Sequence, residues 1–207
     1  MIAIIDYDAG NIRSVEKALL SLGVTPAVTR DKNTILTADH VILPGVGSFG
    51  DAMEKLVSYD LVDVIKEVVD KKTPFLGICL GQQLLFSESE ESPGVKGLGI
   101  LEGSCRRFDG SKGLKIPQIG WNSLDLHGEG RLFKGIDDGS FVYFVHTFYC
   151  EASDRRVVTA TSEYANTVDA SLEKDNIFAC QFHPEKSGRV GLKILENFLR
   201  IGEETAC

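Results

Sequence analysis

The chain reads as an α/β protein: a doubly wound, mostly parallel sheet with helices on both faces and an added region of antiparallel strands. Three observations predict it. Short, fully apolar runs alternate with helical periods through the first ninety residues, as strands buried on both faces require. Glycine or proline punctuation follows several of those runs, where a strand turns back into a helix. Between about residues 90 and 171 the texture changes to short alternating runs separated by glycines, the pattern of hairpins.

Taken in order, residues 2–5 form the first apolar strand. Residues 11–22 follow as a helix, with Val15, Ala18, Leu19 and Leu22 on one face and Gly23 as its stop. Residues 26–29 and 40–43 are the second and third strands, the third ending at Pro44-Gly45-Val46-Gly47. Helical patterning occupies residues 51–71, with a break near Tyr59-Asp60. Residues 75–78 are the fourth strand and 80–89 the next helix. Residues 141–146, 157–161 and 168–172 alternate as antiparallel strands, and 177–182 is one more core strand. Residues 187–201 close the chain as a helix, with Ser187 as its expected N-cap and Val190, Ile194, Phe198 and Ile201 as its buried stripe.

Composition narrows the function. At 207 residues a single domain is expected, with 43% apolar and 25% charged residues, the balance of a globular enzyme. A net charge of −8 argues against non-specific binding to nucleic acid or to an anionic membrane. Cysteines 79, 105, 150, 180 and 207 are odd in number and lack a C-x-x-C pair. That suits a reducing cytoplasm better than a disulfide framework or a zinc site. The first residues read as a strand, not as a signal peptide, and no apolar run approaches membrane-spanning length. Gly45-x-Gly47-x-x-Gly50 spells a dinucleotide fingerprint, but it follows the third strand and lacks a well-placed acidic partner. No cofactor and no metal are expected.

The chemistry concentrates at Gly77-Ile78-Cys79-Leu80-Gly81. A lone cysteine in an apolar run is usually core. Here glycines flank it at i−2 and i+2, at a strand-to-helix junction, which is the form of a nucleophile elbow. Side chains at 77 and 81 would collide across so tight a turn. The helix that follows is expected to favour a thiolate, and the Leu80 N–H to serve as an oxyanion donor. Pro44-Gly45-Val46-Gly47, at a neighbouring strand end, is either the second donor or an ordinary turn.

A thiolate needs a base. Of four histidines, His40 reads as structural or exposed, His127 as surface, and His146, at a strand end, stays open. His183 is the strongest candidate: it ends a core strand, Pro184 stops that strand, and Glu185 stands two residues on, able to hold Nδ1–H.

The Gly77–Gly81 elbow together with Phe182-His183-Pro184-Glu185 resembles the class I (triad) glutamine amidotransferases, in which cysteine, histidine and glutamate occur in this order. Four further segments resemble the glutaminase subunits of imidazole glycerol phosphate synthases, from histidine biosynthesis. They are Ile5-Asp6-Tyr7-Asp8-Ala9-Gly10-Asn11-Ile12-Arg13-Ser14-Val15, Leu43-Pro44-Gly45-Val46-Gly47-Ser48-Phe49-Gly50-Asp51-Ala52-Met53, Ile116-Pro117-Gln118-Ile119-Gly120-Trp121-Asn122, and Tyr143-Phe144-Val145-His146-Thr147. The resemblance spans essentially the whole chain. It implies a class I glutamine amidotransferase-like fold, glutamine as substrate, and Cys79, His183 and Glu185 as the triad. It implies oxyanion donors at Leu80 and Val46, with a peptide flip at Gly45–Val46 that brings the second donor round. It further implies that Gly45, Gly47, Gln83, Thr147 and Phe148 surround glutamine. The implied partner is a (β/α)₈-barrel cyclase that consumes the ammonia, with Asn11, Gln118, Trp121, Tyr143, His146 and Lys186 as candidates for the interface and gate. Two positions depart from the family pattern: Asp8, where a small residue such as glycine is usual, and Phe148, where tyrosine is common. Other glutaminases sharing the triad, a free-standing γ-glutamyl hydrolase and an inactive scaffold subunit are the competing readings.

Overall fold

The computed structural model describes residues 1–128 and 130–202; Cys207 lies outside the described residues. An eight-stranded sheet forms the centre. Its strands are β1 (Ile2–Ile5), β2 (Ala27–Thr29), β3 (His40–Leu43), β4 (Phe75–Ile78), β7 (Asp125–Leu126), β10 (Val158–Glu163), β11 (Thr167–Lys174) and β12 (Ile177–Cys180), in the order β2-β1-β3-β4-β12-β11-β10-β7. The first five in that order are parallel, and β11, β10 and β7 extend the sheet antiparallel. Two antiparallel ribbons stand apart from it: β5 (Gly103–Arg107) with β9 (Phe148–Ala152), and β6 (Gln118–Ser123) with β8 (Phe141–His146). The mostly parallel sheet with an antiparallel addition is therefore as the sequence pattern implies.

β1, β4 and β12 carry no charged or hydrogen-bonding side chain but a thiol, and β3 is apolar beyond His40 at its start, because both faces are covered. The edge strand β2 is only partly buried and ends at Thr29. Ala3, Ile5, Val41, Leu43, Phe75 and Ala179 pack under α3 (Phe49–Ser58) and α4 (Val62–Asp70). Ile2, Ile4, Ile42, Leu76, Ile78 and Phe178 pack under α1 (Ile12–Ser21) and α6 (Gly188–Arg200). Successive residues of one strand thus enter opposite cores, as a two-residue period demands. The break expected near Tyr59-Asp60 separates α3 from α4, with Asp60 at φ 52°. A short helix, α2 (Lys32–Leu36), was not legible in the apolar pattern. Asp31 starts it by accepting from the Thr34 N–H at 2.8 Å.

Two local expectations fail for identifiable reasons. The helix after Cys79 is α5 (Leu80–Leu84), five residues rather than ten. The segment 97–101 folds back and donates its N–H groups to the carbonyls of Leu84, Leu85, Phe86 and Ser87, which ends the helix by taking its acceptors. Ser187 stands at the N-cap position of α6 but makes no capping bond. Its hydroxyl donates to the His183 carbonyl (2.6 Å) and accepts from the Tyr143 N–H (2.9 Å), tying the histidine loop to β8.

Asp8 takes φ 66°, the left-handed conformation in which glycine is most comfortable. Its carboxylate accepts from the Tyr59 hydroxyl and the Arg30 guanidinium, both at 2.6 Å, and these two bonds hold its pKa below the ordinary value. The aspartate thus replaces glycine's conformational freedom with local hydrogen bonds. Among the described residues no helix is long and apolar enough to cross a membrane.

Candidate active site

The loops after β1, β3, β4 and β12 meet at one edge of the sheet, beyond the carboxyl ends of the parallel strands. Cys79 stands between β4 and α5 at φ 55°, ψ −107°, a strained conformation for a residue with a side chain. The flanking glycines are obligatory. A Cβ on Gly81 would lie 1.9 Å from the Leu43 carbonyl oxygen, and one on Gly77 would lie 2.7 Å from the Gly81 oxygen.

His183 and Glu185 arrive from the end of β12. Their side chains are fully buried, and imidazole Nδ1 and Glu185 Oε1 lie 2.7 Å apart. That bond orients the ring with Nε2 free. Nε2 has no hydrogen-bond partner of good geometry, and neither does Glu185 Oε2. Asn11, from the loop after β1, is buried, and its Nδ2 donates to the same Glu185 oxygen at 3.2 Å. Burial alone would lower the pKa of His183. Its interactions with Cys79 and with Glu185 outweigh burial and raise it to about 9.

Beside the sulfur lies a cavity of about 250 Å³. It is lined by Val46 and Gly47 from the loop after β3, by Cys79, Leu80 and Gln83, and by Val145, His146, Thr147 and Phe148 at the end of β8. Glu91 and Pro117 complete the wall. Gln83 is buried, and its Nε2 donates to the Phe148 carbonyl (2.9 Å) and to Gln181 Oε1 (3.1 Å). Gly45 does not line the cavity but sits just behind it. Its carbonyl accepts from the Leu80 N–H at 3.3 Å, so the expected oxyanion donor is occupied. Tyr7 braces this loop from below, its hydroxyl donating to the Pro44 carbonyl at 2.7 Å.

His146, left open by the sequence, is buried in the cavity wall. Its Nδ1 lies 2.8 Å from the Phe148 carbonyl, which makes Nδ1 the protonated nitrogen and leaves Nε2 a buried acceptor without a partner. Burial pushes its pKa down to about 4, so it stays neutral at physiological pH. Gln118 pairs with His146 across the β6–β8 ribbon and is also buried. On the opposite side of that ribbon Trp121 is 55% and Ile119 62% exposed. Trp121 meets the Tyr143 ring edge-on at 6.0 Å, and Lys186 Nζ lies 5.9 Å above that same ring. His40, by contrast, is structural: it is buried, with Nε2 2.8 Å from the Ile201 carbonyl. His127 lies at the surface, with Nε2 2.8 Å from the Thr161 hydroxyl.

Glu91 and Gln181 escaped the sequence reading. Glu91 belongs to an acidic run, Glu88 to Glu91, in which nothing marks one carboxylate. Gln181 stands two residues before His183, directly after β12 and within the apolar run 177–182, where its polarity was the available signal. Among the described residues no cluster of His, Cys, Asp and Glu is arranged to hold a metal ion.

The two buried histidines affect stability in opposite directions. His183 binds its proton more tightly folded than unfolded, so its contribution is full below about pH 6.5 and lost as pH rises through about 9. His146 binds its proton less tightly folded, so its contribution is full above about pH 6.5 and lost as pH falls toward 4. Urea denaturation is therefore expected to show these two contributions together greatest near pH 6.5, each flank falling by up to ~3 kcal/mol. A His146→Gln variant whose acidic flank is as steep as that of the native chain contradicts this.

Known proteins similar to this chain show its family. The family model "Glutamine amidotransferase class-I" matches residues 3–201. The chain is 53% identical over 203 residues to imidazole glycerol phosphate synthase subunit HisH of Bacillus cereus (strain G9842), covering 98% of this chain and 96% of that one. It is 47% identical over 201 residues to the HisH subunit of Methanocaldococcus jannaschii, covering 97% of this chain and all of the relative. Among solved structures, a glutamine amidotransferase superposes with a TM-score of 0.76 at 19% identity, over 97% of this chain and 98% of that one. PurLQS from Thermotoga maritima superposes with a TM-score of 0.74 at 22% identity, over 96% and 97%. At such identities the two structures speak for the fold alone.

Proposed function

The chain belongs to the class-I glutamine amidotransferase family, and from that premise we propose the following working parts. It acts as the glutaminase subunit of an imidazole glycerol phosphate synthase, its 207 residues working as one domain in the cytoplasm, where reducing conditions keep Cys79 a thiol. The observation that carries the reading is the strained cysteine elbow at the mouth of a small cavity, with the His183–Glu185 pair beside it.

Glutamine enters the cavity with its side-chain amide at Cys79. The Cys79 thiolate attacks the amide carbon, and the protonated His183 gives its proton to the leaving ammonia. Glu185, steadied by Asn11, keeps the imidazole oriented and offsets its charge. Water then attacks the γ-glutamyl thioester, with His183 as base, to release glutamate and restore the thiol. The charged end of the substrate meets Glu91, whose carboxylate complements the α-ammonium, and the wall formed by Gly47, Gln83, Thr147 and Phe148.

The tetrahedral oxyanion needs two N–H donors, from Leu80 and Val46. With the Gly45 carbonyl bonded to the Leu80 N–H, the hole is closed. Turning over the Gly45–Val46 peptide withdraws that carbonyl and swings the Val46 N–H toward the site. The free subunit is therefore a resting form, and docking of the partner shifts it to the open form.

That partner is a (β/α)₈-barrel cyclase that uses ammonia to form imidazole glycerol phosphate and an aminoimidazole carboxamide ribonucleotide. Ammonia in neutral water is mostly the non-nucleophilic ammonium ion, so the product must pass directly from one active site to the other. The docking face is the exposed side of the β6–β8 ribbon, with Trp121, Ile119, Tyr143 and Lys186. Gln118 and His146 lie on its buried side, toward the cavity. Trp121→Ala is expected to weaken the complex by ~2 kcal/mol, roughly thirtyfold in Kd, as loss of a central interface aromatic does. Because Trp121 is exposed, the fold is expected to be unaffected. Titration calorimetry with the barrel checks both points.

The deciding experiment measures glutamate release by the chain alone, with the barrel, and with the barrel plus its ribonucleotide. Low release alone and a large rise in the full mixture support the reading. Full activity alone, indifferent to the barrel, identifies a free-standing γ-glutamyl hydrolase and overturns it.

A further inference from the structure

Cys79 has few groups available to stabilise a thiolate. The helix behind it is five residues long, too short for its dipole to do much. The Leu80 N–H is committed to the Gly45 carbonyl, and the N–H groups of Gln82 and Gln83 are both committed to the Cys79 carbonyl. The thiol itself points at the Val145 carbonyl, 3.9 Å from Sγ, an acceptor that disfavours negative charge on sulfur. Against these stands one side-chain amide. Gln181 is completely buried, and its Nε2 lies 3.7 Å from Cys79 Sγ, within reach of an N–H···S bond. Its Oε1 accepts from Gln83 Nε2 at 3.1 Å, which fixes the amide with its nitrogen toward the sulfur. Gln83 is fixed in turn by its bond to the Phe148 carbonyl in the cavity wall.

We propose that Gln181 is a thiolate-positioning residue, donating to Cys79 Sγ through an amide chain that runs from the wall of the glutamine cavity through Gln83. Gln83 Nε2 donates both to the Phe148 carbonyl, which anchors it, and to Gln181 Oε1. From there the two bonds Gln83 to Gln181 and Gln181 to Cys79 point the same way, so the first of them polarises the second. It reaches the sulfur from the side opposite to solvent. Glutamine binding against Gln83 and Phe148 therefore bears on the nucleophile without a change of backbone. This deepens the reading of Cys79 as nucleophile and rests on it.

The other titratable groups around the sulfur do not duplicate the role. Tyr7 and Cys180 are kept protonated, as burial and the neighbouring negative groups push their pKa values up. His146, across the cavity, is neutral at working pH because burial pushes it down to about 4. Glu91, on the far wall, carries the wrong sign. Among the described residues the cationic group at the sulfur is His183, and it is needed as acid and base in turn.

The test is the pH–rate profile of Cys79 alkylation by iodoacetamide on the chain alone, with the modified residue located by peptide mass spectrometry. It needs neither glutamine nor the barrel, so its failure is distinct from failure of the proposed function. Gln181→Met keeps the volume and removes the donor. Its profile is expected to move to higher pH, with alkylation at pH 7 roughly tenfold slower, the scale of losing one hydrogen bond to a charged group. Gln181→Glu puts a carboxylate at the sulfur and is expected to be slower still. In the full complex Gln181→Met is expected to lower kcat for glutamine more than it raises KM. If circular dichroism shows the Met variant unfolded, Gln181→Asn, which keeps an amide but withdraws it by one methylene, gives the reading through the same shift. A folded Met or Asn variant with the native pH profile overturns the proposal.

Discussion

Cys79→Ala is expected to abolish glutamine-dependent turnover by the complex, by at least ~10⁴-fold, and to leave ammonia-dependent turnover within about twofold of native. The first loss follows because the thioester forms on the Cys79 sulfur. Cys180, a neighbour of that sulfur, is fully buried with its thiol kept protonated. The second activity survives because added ammonia bypasses the site. Alanine fits the elbow sterically no worse than cysteine at φ 55°, so the fold is expected to persist. The same variant has a spectroscopic signature. Removing the sulfur removes one of the two interactions that raise His183, so its titration by histidine NMR is expected to fall below about 9. Loss of both turnovers would mean that Cys79 supports assembly rather than chemistry.

Docking of the barrel is expected to raise glutamine hydrolysis ~10²–10³-fold, the worth of one oxyanion donor. The geometry sets the direction. The Leu80 N–H, beside the nucleophile, is bonded at 3.3 Å to the Gly45 carbonyl, and an oxyanion cannot share that donor with a second negative oxygen. Every other part of the machinery is assembled: the elbow, the His183–Glu185 bond and the cavity. On the proposed reading, one peptide unit therefore stands between the resting and working forms. Steady-state kinetics check this, and the effect belongs in kcat, because the oxyanion forms only along the reaction path. A rise confined to KM would mean that the partner shapes the glutamine cavity and leaves the oxyanion hole alone. Glycine at 45 is also required by the present packing: a Cβ there would lie 2.3 Å from the Tyr7 hydroxyl and 3.0 Å from the Leu80 Cβ.

Much of this site is written locally. A glycine on either side of Cys79 has one physical explanation, a turn so tight that neither neighbour tolerates a side chain, and the 1.9 Å approach at Gly81 bears it out. His183 and Glu185 are two residues apart, so their bond is a property of one short turn. The short apolar runs named the strands for the same reason: burial on both faces leaves little room for polar side chains. Lengths were less legible. The helix after Cys79 stops at Leu84 because residues 97–101, distant in sequence, take its carbonyls, and no pattern within 80–89 encodes that.

Sequence alone thus sufficed for the fold class, the elbow and the histidine with its carboxylate, because each is encoded in contiguous residues whose spacing has a steric or periodic cause; the family came from resemblance of whole segments. What the folded chain added are relations between segments far apart. Asn11 lies 174 positions from the Glu185 it supports, and Gln181 lies 102 from the sulfur it faces. Glu91 joins the cavity from an acidic run with no distinguishing mark, and His146 becomes a neutral buried acceptor only once β6 and β8 close around it. The state of the oxyanion hole belongs to the same class. It depends on which way one peptide faces, and glycine at 45 permits both directions, so its amino-acid identity cannot specify one. Packing of the loop after β3 against α5 makes that choice.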